Sequence, residues 1–188
     1  SKEPIPQDEG MGVGMFTCSA VHNKACISGG WGAENGAVVG EYNPKKDRWT
    51  ILKEMNSGRY DAAAIAHNGK LYVIGGCPER AAIACQNPLN SIEEYNPLAN
   101  TWTILPTVMP TPRNKLSCCI FKGKYFAIGG ADSKGDGMTT IEEYDPETGT
   151  WTSRLPMPTG QRDFGTAVVD GKIYIIGSSV YEYTPRIQ

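Results

Sequence analysis

The chain has 188 residues and a net charge of −2, with acids and bases intermingled and no basic stripe, so a nucleic-acid partner is not expected. Its apolar runs are no longer than single strands, far short of the ~20 residues of a spanning helix, so no membrane segment is expected either. The first ten residues are polar and hold two prolines, unlike a secretion signal.

In chain order, Lys2-Glu3-Pro4-Ile5-Pro6 comes first. It has the cadence of Arg154-Leu155-Pro156-Met157-Pro158, which reads as the tail of a strand. The next feature is Lys24-Ala25-Cys26-Ile27-Ser28-Gly29-Gly30, the weakest of four copies. The segment returns as Lys70 to Gly76 and Lys124 to Gly130. Its last copy runs Lys172 to Gly177, where Ser178 replaces the second glycine. The first glycines fall at 29, 75, 129 and 177, in steps of 46, 54 and 48 residues. That period suits a four-stranded propeller blade better than a helical-pair or leucine-rich repeat.

Each copy has the same grammar. An apolar stretch (Ala62 to Ala66, Leu116 to Phe121, Phe164 to Val169) leads into a two-residue turn, Asn68-Gly69, Lys122-Gly123 or Asp170-Gly171, with His22-Asn23 in the first copy. Such turns need positive φ, and they pair strands a and b as an antiparallel hairpin. Strand b ends at Gly29-Gly30, Gly75-Gly76, Gly129-Gly130 or Gly177, where a Cβ is expected to clash. A phosphate-cradling loop would need a helix to follow, and none is signalled. After a loop of varying length comes strand c, ending in Tyr42, Tyr95, Tyr144 or Tyr183. An Asn-Pro or Asp-Pro turn follows the first three. Seven residues after those tyrosines, Trp49, Trp102 and Trp151 open strand d, and each Tyr and Trp should stack as core. The blades are placed at roughly 11–55, 56–108, 109–157 and 158–188. Residues 1–6 are a candidate closing strand, because the fourth Tyr is not followed by its Trp.

Gly-Gly, then Tyr, then Trp seven residues on, then Arg resembles the kelch repeat over nearly the whole chain after residue 11. The resemblance implies an all-β protein, a kelch-type β-propeller of about four four-stranded antiparallel blades. It could be a closed four-bladed ring or part of a larger propeller whose open edges would favour self-association. It is most like the kelch domain of BTB-kelch adaptors. That implies a non-catalytic, cytoplasmic module that recognises substrates for a cullin-type ubiquitin ligase by binding a protein or peptide. Actin binding and a kelch-type carbohydrate enzyme, galactose-oxidase-like or sialic-acid isomerase-like, are the alternatives.

Arg59, Arg113 and Arg162 stand in the linkers from strand d to the next strand a; Val13 takes the place in the first repeat. These arginines either tie the linker to blade carbonyls or fork onto an acidic partner motif. By resemblance, Arg113-Asn114-Lys115 looks like a partner-binding linker, with Asp61 and Phe164 at the place of Lys115. The unequal loops between strands b and c add Trp31 and Arg80 as candidate contacts. The Glu93-Glu94 and Glu142-Glu143 pairs should alternate faces, one to solvent and one as a structural hydrogen-bonder. His22 and His67 read as exposed turn residues, and no cofactor or metal site is expected. The six cysteines fit neither a zinc cluster nor a disulfide scaffold, so free, largely buried thiols in a reducing cytosol are expected. Cys77 and Cys85 share a loop and could meet if it curled back.

Overall fold

A computed structural model of the chain describes residues 2–6, 14–30, 36–80 and 84–185. Among these residues fifteen strands form four antiparallel sheets, each a meander in chain order. The first holds β1 (Phe16–Val21), β2 (Lys24–Gly29), β3 (Val39–Asn43) and β4 (Arg48–Ile51). The second holds β5 (Ala63–His67), β6 (Lys70–Ile74), β7 (Ile92–Asn96) and β8 (Thr101–Ile104). The third holds β9 (Ser117–Phe121), β10 (Lys124–Ile128), β11 (Ile141–Asp145) and β12 (Thr150–Arg154). The fourth has three strands, β13 (Gly165–Val169), β14 (Lys172–Ile176) and β15 (Val180–Tyr183). The sheets are blades. Their first strands pack in series, β1 on β5, β5 on β9 and β9 on β13, and no packing of that extent joins β13 to β1 among the described residues.

The hairpins form where the sequence places them. His22 and Asn23, Asn68 and Gly69, Lys122 and Gly123, and Asp170 and Gly171 all have positive φ, as a turn matched to strand twist requires. Ser19 lies opposite Cys26, as the first turn demands. The Gly-Gly ends meet neighbouring backbone: a Cβ on Gly75 would fall 2.6 Å from the Arg113 carbonyl oxygen, and one on Gly129 2.7 Å from that of Gln161.

Blades adhere through alternating side chains. Ile65, Tyr72, Ile74 and Ile92 of the second blade pack on Tyr125, Ala127 and Tyr144 of the third. Cys118 and Cys119 point to opposite faces and join different inter-blade clusters. Each Tyr stacks on its Trp: Tyr42 on Trp49, Tyr95 on Trp102 and Tyr144 on Trp151, with ring centroids 5.0–5.2 Å apart. The Tyr95 hydroxyl donates to Asn100 Oδ1 at 2.9 Å. Asp47 holds the equivalent place for Tyr42. Trp102 Nε1 then donates to the Lys53 carbonyl in the tail of the preceding blade, at 2.8 Å.

Residues 2–6 repeat that last contact. Trp49 Nε1 donates to the Glu3 carbonyl at 3.2 Å, and Ile5 packs with Ile27, Trp49 and Ile51. The segment therefore lies on the first blade as the tail of a blade before it would. It forms no strand beside β15.

Three expectations need correction. Cys77 and Cys85 form a disulfide, so the free thiols are Cys18, Cys26, Cys118 and Cys119. Backbone bonds between Cys77 and Tyr60 (2.7 and 2.8 Å) and from Leu89 N–H to the Gly76 carbonyl (2.8 Å) fold the loop back on its start. His67 is half-buried, its Nδ1 2.8 Å from the Tyr125 hydroxyl of the next blade. Neither second glutamate of the recurring pairs faces solvent unpaired: Glu94 meets Lys70 Nζ at 2.7 Å, and buried Glu143 takes two hydrogen bonds from Arg154.

Candidate protein-interaction face

Strand a of each blade rises from its linker to the hairpin turn, and strand b returns. The linkers between blades and the loops between strands b and c therefore share one end of the propeller. The b–c loop of the second blade, from Gly75 to Ser91, is the longest there that is described.

Each linker is fastened from below. Met55, Met109 and Met157 are buried plugs. Asn56 and Ser57 donate backbone N–H groups to the two oxygens of Glu93, at 2.8 and 2.9 Å. Arg59 completes the set, with Nη1 donating to the Gly75 and Ser91 carbonyls at 3.0 and 3.2 Å and Nη2 to Glu93 at 2.7 Å. Arg113 repeats this one blade on, to the Gly129 and Thr140 carbonyls at 3.0 and 3.1 Å and to Glu142 at 2.6 Å. The two arginines are 1% and 0% exposed. Burial pushes both guanidinium pKa values down, and the paired glutamates oppose that. Arg59 and Arg113 are thus internal ties to blade carbonyls, the first of the two expected roles, and the other, as partner contacts, is corrected: a buried, fully engaged fork has no surface to offer.

Arg162 is not their counterpart. Gln161, buried, holds the matching position, since its carbonyl meets Gly129 as that of Arg113 meets Gly75. Arg162 lies one residue further, exposed, and donates to the Gly135 carbonyl of the neighbouring b–c loop. By the same register Asp163, not Phe164, matches Lys115.

The two residues after each tie form the mouth. They are Tyr60 and Asp61, Asn114 and Lys115, and Arg162 and Asp163. Asp61, Lys115 and Asp163 all have left-handed backbones, with φ of 52°, 52° and 55°, as has Met15 at 59°. This conformation turns each amide toward the previous blade. Asp61 N–H donates to the Met15 carbonyl (3.0 Å), Lys115 N–H to that of Asp61 (2.7 Å), and Asp163 N–H to that of Lys115 (3.2 Å). A main-chain seam so runs from blade to blade across the linkers. Above it Lys115 Nζ reaches Asp163 at 3.4 Å. Burial raises the Asp61 carboxyl pKa, which Lys115 lowers and Asp163 raises further.

Tyr60, Asp61, Glu79, Asn114, Lys115 and Arg162 line a depression with about 480 Å³ of empty space, part of it open to solvent, and Cys77–Cys85 forms one wall. Asn114 is 3% exposed, and its Oδ1 is a buried acceptor that no donor among the described residues satisfies. A buried acceptor left in this way favours a ligand that brings an N–H or O–H. The mouth is therefore mixed in charge, with Lys115 and Arg162 set among Asp61, Glu79 and Asp163. Arg80 is exposed beside Glu79, and Trp31 and Val13 lie outside the described residues. Sequence reasoning missed Tyr60, Glu79 and Asp163; the offset of one and two residues after each tie is the signal that finds Tyr60 and Asp163. Among the described residues no three His, Cys, Asp or Glu side chains are grouped to hold a metal ion, and no helix is long and apolar enough to cross a membrane.

Radially packed four-stranded meanders, stacked Tyr–Trp pairs and a buried Arg–Glu tie in the linker define a kelch-type β-propeller. The chain belongs to the Kelch-repeat family: residues 15–184 match the model of the KLHDC2/KLHL20/DRC7 Kelch-repeats domain. It is 27% identical over 187 residues to Kelch-like protein 35 of Mus musculus, covering 97% of this chain and 31% of that one. It is 32% identical over 186 residues to Kelch-like protein 25 of Rattus norvegicus, covering 96% and 30%. The chain thus spans about a third of the length of these relatives. Among solved structures it resembles that of YjhT, with a TM-score of 0.77 and 19% identity over 94% of this chain and 59% of that one, a likeness of fold.

Proposed function

We propose that this propeller is the substrate-recognition module of a cullin-type ubiquitin ligase adaptor, and that it grips a partner peptide at the mouth formed by the linkers and b–c loops. The observation that carries the binding reading is the buried, unsatisfied Asn114 Oδ1 in a depression rimmed by Lys115 and Arg162. The peptide chemistry it suits is a turn that presents an N–H donor to Asn114 and a carboxylate to Lys115 or Arg162. A strongly acidic motif fits less well, because Asp61, Glu79 and Asp163 share the rim. The ligase role rests on kinship with the kelch-like proteins. A cytoplasmic location goes with it, where reducing systems would oppose the Cys77–Cys85 bond.

Selection from a displayed peptide library tests the binding reading. Enriched peptides should bind the wild-type chain, lose at least about tenfold in affinity to Asn114→Ala and to Lys115→Ala, and be indifferent to Asn23→Ala at the opposite end. Peptides that bind all three variants alike would place recognition elsewhere.

A further inference from the structure

We propose that Cys77 and Cys85 form a redox switch on the mouth: joined, they fix the wall that a partner peptide meets, and parted, they release it. The switch rests on the peptide-binding reading above. Both cysteines are 2% exposed and cluster with buried Tyr60 and with Met15, so the bond packs beneath two of the linkers. Both also border the depression that Asn114 and Lys115 line. The two halves of the pair are held differently. Cys77 stays in place without its sulfur, because its N–H donates to the Tyr60 carbonyl at 2.7 Å and its carbonyl accepts from the Tyr60 N–H at 2.8 Å. Cys85 makes no hydrogen bond to another described residue, so its sulfur and its packing hold it. From Cys85 the wall reaches the third blade. The Ala84 Cβ lies 3.3 Å from where a Cβ on Gly135 would fall, and the Gly135 carbonyl accepts the hydrogen bond of exposed Arg162.

Parting the sulfurs frees Cys85, and with it the support behind Ala84 and the neighbour on which Gly135 rests. Arg162, one of the two cations offered to a partner carboxylate, loses its fixed setting. The ordering that the disulfide performs in the unbound chain then has to happen on binding, which weakens the complex. The reductant is a low-molecular-weight thiol, RSH. Its thiolate attacks one sulfur of the pair, the S–S bond breaks and a mixed disulfide forms. A second RSH attacks that intermediate and RSSR leaves. Two electrons and two protons have then passed to the protein, as the thiols of Cys77 and Cys85, and exchange with RSSR reverses the step. Because both cysteines border the depression, the thiol enters through the mouth, and a seated peptide covers the bond. Linkage makes the coupling mutual: a peptide that prefers the joined form makes the bond harder to reduce. In a reducing compartment the pair is open and the mouth binds weakly; an oxidising shift strengthens it.

Peptides selected on the oxidised chain from the displayed library are the probe. Fluorescence anisotropy gives their affinity for the oxidised chain, for the chain in dithiothreitol, and for Cys77→Ser combined with Cys85→Ser. The oxidised chain should bind at least about fivefold more tightly than the reduced one. The double variant should match the reduced chain and ignore dithiothreitol. A second readout needs no peptide: in NMR spectra the nuclear Overhauser contact between the Ala84 methyl and the Gly135 α-protons should vanish on reduction, while contacts between β9 and β10 persist. Equal affinity in the two redox states overturns the switch and leaves the peptide-binding reading standing. An Ala84–Gly135 contact that survives reduction overturns the route proposed for it. Loss of the β-sheet circular dichroism on reduction also overturns it, since the bond would then hold the fold and not the mouth. Failure of the binding reading looks different: the selected peptides would be indifferent to Asn114→Ala and Lys115→Ala in the oxidised chain, and the switch would fall with it.

Discussion

Arg113→Ala should destabilise the whole propeller while removing no surface contact. The substitution deletes the donors to the Gly129 and Thr140 carbonyls, to the Thr111 carbonyl at 3.2 Å and to Glu142. Among the described residues Glu142 keeps only the Thr111 N–H and hydroxyl, the latter at 2.6 Å. Breaking a buried pair from one side costs about 3–5 kcal/mol, because the remaining charge stays buried without its counter-ion. Against a usual stability of about 5–15 kcal/mol that is a large share. At roughly 2–4 °C per kcal/mol for a chain of this size, the melting temperature should drop by about 6–20 °C. Urea and thermal unfolding followed by circular dichroism measure it. Exposed Arg162→Ala is the control and should stay within about 0.5 kcal/mol of wild type. The double replacement Arg113→Leu with Glu142→Leu should lie nearer wild type than either single change, because neither charge is then stranded. If Arg113→Ala is as mild as Arg162→Ala, the tie is not structural and the reasoning fails.

Three further outcomes are expected. Under non-reducing conditions, brief treatment of the native protein with a thiol-alkylating reagent should label Cys18 first. Burial pushes the Cys26 and Cys119 thiols up to about 11 and about 12, and the disulfide blocks Cys77 and Cys85. Mass spectrometry after unfolding should count four alkylated cysteines without reductant and six with it; six without reductant would exclude the bond. Asp61→Asn should stabilise the chain at neutral pH. The raised Asp61 pKa means its share of stability is present below the unfolded value and lost as pH rises through the folded one, so the gain should vanish in acid. Urea midpoints of the two proteins across the carboxylate range check this, and a gain that persists at low pH would contradict it. Deleting residues 1–6 should cost about 1 kcal/mol from the half-buried Ile5 and red-shift the Trp49 emission; an unchanged spectrum would mean that the segment does not cover the indole.

The parts of this fold visible in the sequence are those set by near neighbours. Asn68-Gly69 and Asp170-Gly171 encode their own turns. Tyr95 and Trp102 are seven residues apart because a four-residue turn must bring them face to face. What sequence reading missed depends on distance or on counting. His67 meets Tyr125 across a blade boundary, a contact no local pattern records. For Arg59 and Arg113 the sequence leaves a tie to blade carbonyls and a partner contact both open, and the glutamate buried beneath each decides for the tie. Arg162 lies one step out of register because glutamine occupies the tie position, so matching by residue type alone slides the third linker by one. The Cys77–Cys85 bond depends on how a long loop doubles back, which eight residues of separation do not reveal.

The seam through Met15, Asp61, Lys115 and Asp163 is made of amides and carbonyls, and the scaffold asks of those four positions only a left-handed backbone. Aspartate, asparagine and glycine adopt it at little cost. Specificity and architecture are thereby uncoupled at this end of the molecule. Evolution, or an engineer, can rewrite the charges that greet a guest without loosening the stitching that holds the blades together.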